Sequence, residues 1–137
     1  MSDSLREVSR QTSMLVSRAR GWMGSAWDVR ISGGATRADR LRALIDEFAA
    51  LGREAGSGAP SGARPPRISD HALPDQLIVL ADDFFAAAAT AVAAVAGSGP
   101  GVPLPQHEVT RLLARAGAAV SAARADLDTP GFGFRPF

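Results

Sequence analysis

The segment from Leu73 to Ala96, LPDQLIVLADDFFAAAATAVAAVA, is the longest nearly uninterrupted apolar stretch of the chain and holds its only Phe-Phe pair. Wound at 3.6 residues per turn, it places Leu77, Leu80, Ala81, Phe84, Phe85, Ala88, Ala91, Val92 and Val95 on one broad face, opposite Asp75, Asp82, Asp83 and Thr90. An apolar arc of roughly half the circumference is too wide for one neighbouring helix to cover, so the segment reads as the central helix of a bundle. A membrane span is the competing reading. It fails on length, because the uncharged run after Asp83 covers only about 20 Å as a helix.

The rest of the chain supplies the partners such a helix needs. Ser4-Leu5-Arg6-Glu7 has the form of a capping box opening a first helix, on which Leu5, Val8, Thr12, Leu15, Ala19, Met23 and Ala26 recur at three- and four-residue steps. Gly21 and Gly24 each cost about 1 kcal/mol inside a helix, so this helix kinks or ends near Gly24, and Trp22–Ile31 either continues it or forms a separate turn. After the breaker cluster at Ser32–Ala35, Thr36 offers an N-cap with Asp39 in the first turn, and Leu41, Leu44, Ile45, Phe48, Leu51 and Ala55 form the inner stripe of a second helix. Arg42 and Asp46 are spaced as a surface ion pair, and Gly56 is a natural stop.

Residues 56–67 are Gly-, Ser- and Pro-rich and read as a flexible connection, slack between two helical hairpins or a recognition loop built on its Pro-Pro pair. A second Gly/Pro-rich connection follows Gly97, and Pro105 opens a fourth helix with Val109, Leu112, Leu113, Ala116, Val120, Ala123 and Leu127 as its apolar line. The expected fold is therefore all-α, a single-domain antiparallel four-helix bundle over residues 1–137, most simply up-down-up-down. Alanines 86–89, 118, 119, 122 and 123 would let the third and fourth helices approach closely. Residues 129–137 form an aromatic tail, in which Phe132, Phe134 and Phe137 either cover an edge of the core or serve as a docking peptide.

Composition narrows function mostly by exclusion. The absence of cysteine rules out disulfides and thiolate sites and fits a reducing compartment; with an N-terminus that lacks an apolar run, it leads us to expect a cytoplasmic protein. All 15 basic residues are Arg, with no Lys, Asn or Tyr and 27 Ala, which points to a genome of high GC content such as an actinobacterium's. These arginines are offset by 14 acids and spread over every helix, so nucleic-acid binding gets little support.

No catalytic, cofactor or metal constellation is legible. His71 and His107 each precede or open a helix, and helix starts of consecutive antiparallel helices lie at opposite ends, which argues against a shared metal site; the Glu-x-x-His pattern of di-iron bundles is also missing. His71 with Asp75 reads as a solvated helix start and Asp82-Asp83 as a polar face. The spacing of Arg64 and His71 resembles the Arg-x4–6-His motif of the helical HEPN ribonucleases; in that family the Arg would stabilise phosphate and the His act as acid or base on a 2′-OH. The resemblance covers only those two residues. Trp22-Met23-Gly24 is similar to the W-x-G turn of small hairpin proteins exported by mycobacterial-type secretion systems, but it lies early in the chain and the family's tyrosine-containing signal has no counterpart here.

Trp22 and Trp27 therefore pack core or mark an interface where an indole N–H finds a partner. The leading expectation is a protein that works by contact with another protein or with itself, using Trp22, Trp27, Phe85, Phe132, Phe134 and Phe137, with no enzyme activity, cofactor or nucleic acid involved. A bundle binding a small apolar ligand beside its alanines is the alternative, and a HEPN-like nuclease the next.

Overall fold

Four helices make up most of the residues that the computed structural model describes, 2–31, 33–56, 65–96 and 105–128. They are α1 (Ser2–Arg20), α2 (Arg37–Ala55), α3 (Leu73–Ala96) and α4 (Gln106–Asp128). The all-α four-helix bundle expected from the sequence is what forms, and α3 spans the segment from which the bundle was inferred.

Local chemistry explains most of the boundaries. At the start of α2, the Asp39 backbone N–H donates to the Thr36 hydroxyl at 3.1 Å while the Thr36 N–H donates to the Asp39 carboxylate at 3.2 Å, a reciprocal capping box. At its end, Gly56 adopts φ +93°, the left-handed geometry that a residue without Cβ reaches without strain. The capping box expected at Ser4–Glu7 does not form. Here α1 begins at Ser2, with Asp3 in the favourable first turn, and the Glu7 carboxylate instead accepts bonds from the Arg10 and Gln11 side chains. Those bonds hold the Glu7 carboxyl down to about 2.

Ion pairs at the helix ends fix the directions. Arg18 pairs with Asp128, joining the C-terminal ends of α1 and α4, so these two run parallel. Arg20 reaches Asp75 at 2.8 Å, setting the end of α1 beside the start of α3. On the other side, Arg40 meets Asp126 at 2.6 Å and Arg115 meets Glu54 at 2.9 Å, so α2 and α4 are antiparallel. Arg42 donates to Asp70 at 2.7 Å and to the Ile68 carbonyl at 2.9 Å, which brings the starts of α2 and α3 together. The order is thus up-down-down-up, correcting the simpler alternation expected from the sequence. It also corrects the expected Arg42–Asp46 pair: Arg42 is drawn off its own helix by the chain entering α3.

This topology assigns work to the connection between α2 and α3. Gly56 ends α2 at one end of the bundle, whereas Pro66 already accepts a bond from Gln76 in the first turns of α3 at the other end. The fourteen residues of α2 from Arg42 to Ala55 rise about 21 Å. The ten steps from Gly56 to Pro66 can reach about 33 Å, enough for that crossing. Residues 57–64, and with them most of the 56–67 connection expected to be flexible, lie outside the described residues.

The core follows from this arrangement. α3 packs between α1 and α2, and α4 likewise, which leaves α1 diagonal to α2 and α3 diagonal to α4. Hence the expected close approach of α3 and α4 through small residues is not the main contact; Ala86, Ala89, Ala118 and Ala122 are exposed while Ala88 and Ala123 are buried. The seam of α2 and α3 holds Phe48 and Phe84, both fully buried, with ring centroids 6.0 Å apart, and Leu41 and Leu44 of α2 and Leu73 and Leu77 of α3 are buried in the same core. Asp75, Asp82, Asp83 and Thr90 face outward as the sequence requires.

Candidate interaction surface

The link between α1 and α2 is a small folded unit. The N–H groups of Gly21 and Trp22 donate to the carbonyls of Arg18 and Ala19, closing α1. Met23 is extended, Gly24 turns at φ +55°, and Gly24–Asp28 forms one turn of 3-10 helix. Arg30 then bridges to Thr36, and the Arg37 N–H donates to the Val29 carbonyl at 2.9 Å, lashing the link to the first turn of α2. Trp27 and Ile31, each 2% exposed, anchor the unit in the core. Trp22–Ile31 therefore forms a separate turn and does not extend α1.

Three side chains assemble on this base. Trp22 and Trp27 meet edge to face with centroids 5.0 Å apart, and the Arg37 guanidinium lies 4.8 Å from the Trp22 ring centroid. Arg37 also donates to the Ala26 carbonyl at 3.3 Å. Met23, expected on the buried line of α1, is instead 81% exposed beside them, because α1 stops at Arg20 and Met23 leaves in extended geometry. Val29 is a second exposed apolar residue on the same link.

The polar groups of this corner are poorly satisfied. The Trp27 indole nitrogen and the Arg37 Nε are buried without a hydrogen-bond partner among the described residues, as is the Arg42 Nε on the α2–α3 side. Burial, and then the positive charge of Arg18, lower the pKa of Arg37, although an arginine keeps its proton at neutral pH. Arg37 also occupies the first helical position of α2, at the positive end of the helix dipole, where a cation is disfavoured. That placement is readable from Thr36-Arg37 in the sequence. The exposure of Met23 was not, since its spacing matched the apolar line of α1.

The other candidate residues are placed elsewhere. Phe85 is half-buried against Phe48 and Phe84, at 6.0 and 5.6 Å between centroids, so it belongs to the α2–α3 seam and not to the tryptophan corner. Phe132, Phe134 and Phe137 lie outside the described residues, as does Arg64. His71 is exposed in the short turn before α3, and His107 is exposed at the start of α4, near the opposite end of the bundle. Two surface grooves flank α4, one of about 530 Å³ against α1 lined by Val8, Leu113, Ala114 and Gly117, the other of about 450 Å³ against α2 lined by Arg40, Leu44 and Ala119. Both are open. No group of three or more His, Asp or Glu residues among the described residues is arranged to hold a metal ion, and no helix among them is long and apolar enough to cross a membrane. Compared with known proteins, the chain finds no matching family model, curated protein or solved structure.

Proposed function

We propose that this protein works by protein–protein contact in the cytoplasm, as a scaffold or accessory subunit, and that its contact surface is the corner built by Trp22, Met23, Val29 and Arg37. The observation that carries this reading is Met23, a large apolar side chain 81% exposed beside a half-buried tryptophan. Trp, Met and Arg are the residue types enriched where proteins meet, and an aromatic or Arg anchor ringed by apolar neighbours is the usual composition of a binding hot spot. The rigid base supports it too, because a surface already held by Trp27, Ile31 and the Arg30–Thr36 bridge loses little entropy on binding. The lack of cysteine suits the compartment.

Retention experiments from extracts of the native host test this. Immobilised protein should hold a discrete set of proteins that Met23→Ser and Trp22→Ala variants release, while the helical circular dichroism of both variants stays unchanged. Retention that survives both substitutions would move the contact surface elsewhere. Light scattering on the purified protein at several concentrations then separates self-association from an accessory role, since only the former raises the mass without a second component.

A further inference from the structure

The charge of the corner says what kind of partner it takes. All fourteen acidic residues of the chain fall within the described residues, and none lies within ion-pair distance of Arg37. Asp39, the acid closest along the chain, is spent on the Thr36 cap, and Asp28, on the link itself, makes no ion pair among the described residues. The neighbouring cations are already engaged: Arg18 with Asp128, Arg20 with Asp75, Arg40 with Asp126. Arg37 thus stands out as a part-buried cation that the chain's acidic residues leave uncompensated, at a helix start that adds positive potential.

Its geometry is that of a prepared fork. One face of the guanidinium rests on Trp22 and one N–H is spent on the Ala26 carbonyl, which fixes the plane of the group. A planar guanidinium held in this way matches the two oxygens of a carboxylate. Arg30, its guanidinium on the Gly34 carbonyl at 2.6 Å, is a second cation on the same link with no ion pair among the described residues. Met23 and Val29 are exposed on the same link, and a free inorganic anion would leave them in water.

We infer that the corner receives an acidic segment of another protein, which sets a carboxylate on Arg37 and a large apolar side chain on Met23. The inference rests on the corner being the contact surface, and it adds the chemistry of what is contacted. A nucleic acid is the poorer occupant, because backbone binding needs a run of available cations and most of those nearby are neutralised.

Selection from a random dodecapeptide library displayed on phage, against the whole protein, tests the inference. Enriched peptides should carry Asp or Glu within a few positions of Leu, Met or Phe. Synthetic versions should perturb the intrinsic tryptophan fluorescence, a signal that arises only here because Trp22 and Trp27 are the sole tryptophans of the chain. Affinity should fall at least tenfold on Arg37→Gln, on Met23→Ser, and on replacing the peptide acid by its amide, with the melting temperature of each variant as a folding control. Peptides that change the fluorescence yet show no excess of acids, or bind Arg37→Gln undiminished, would overturn the acidic partner while keeping the corner as a contact surface. Enriched peptides that leave the fluorescence unchanged, or no enrichment over the bare support, would overturn the inference together with the site. Inorganic phosphate displacing the peptides at low millimolar concentration would reduce the site to a simple anion pocket and overturn it as well.

Discussion

Two regions rich in aromatic residues meet α2, and they are built on opposite terms. In the seam with α3, Phe48 and Phe84 are fully buried, Phe85 closes the cluster, and the polar group nearest the seam's upper end, Arg42, is bonded to Asp70 and to the Ile68 carbonyl. In the corner at the start of the same helix, Trp27 is buried with its indole N–H unbonded, Arg37 has no carboxylate, and Met23 stands in water. The Arg42 Nε is buried without a partner among the described residues, as the Arg37 Nε is, but the charge of Arg42 is met by Asp70, whereas the corner leaves apolar area and positive charge for something outside. Natural proteins tend to break local consistency where they work, and the contrast locates that break.

Substitutions can sharpen or erase this contrast. The largest effect belongs to the seam: Phe48→Ala should cost about 3–5 kcal/mol, by lost burial plus the cavity left among Phe84, Phe85 and the leucines, read as a drop in the denaturant midpoint. Arg42→Ala comes next at about 1–2 kcal/mol, since it strips two hydrogen bonds that hold the entry to α3. Thr36→Ala should cost about 1 kcal/mol by removing the cap. The same cap predicts a pH effect. Asp39 has its pKa lowered from 3.8 by the backbone N–H of Thr36 and then by its hydroxyl, so its contribution is present at neutral pH and is lost as pH falls through and below the usual carboxylate range. An Asp39→Asn variant should therefore show a flatter acid-stability curve than the parent. At the small end, Arg37→Gln should cost no more than about 1 kcal/mol, since the lost Ala26 bond and Trp22 contact are offset in part by relief of a buried unpaired charge, and Met23→Ser should change stability by no more than about 0.5 kcal/mol, since its side chain is exposed. A drop of several kcal/mol for either would make the corner part of the scaffold and dissolve the comparison.

How far the sequence alone reaches differs between the same two regions. Periodicity and caps located α2 from Thr36 to Gly56 and α3 from Leu73 to Ala96, because apolar spacing and local hydrogen bonding are properties of the segment itself. The buried line of α1 was legible at Val8, Thr12, Leu15 and Ala19 but ran on too far, since Met23 matches the spacing by chance and only the termination at Gly21 removes it. Topology was not legible. The up-down-down-up order depends on pairs far apart in sequence, Arg18 with Asp128 and Arg40 with Asp126, and an arginine four residues from an aspartate looks the same whether it turns to that neighbour or, as Arg42 does, to Asp70. Trp22 and Trp27 were recognisable as candidates by residue type, but their edge-to-face meeting beneath Arg37 needs the fold of the whole link.

The central claim, that the corner is the surface the protein presents to others, is tested most directly by site-specific photo-cross-linking in living cells of the native host. A benzophenone amino acid would be placed in turn at Met23 and at Val79, an apolar residue 57% exposed on the outer face of α3. A discrete adduct is expected from position 23 and none from position 79, with the adduct from position 23 lost when Arg37→Gln is added. An adduct from position 79 alone, or adducts from both positions that ignore Arg37, would contradict it.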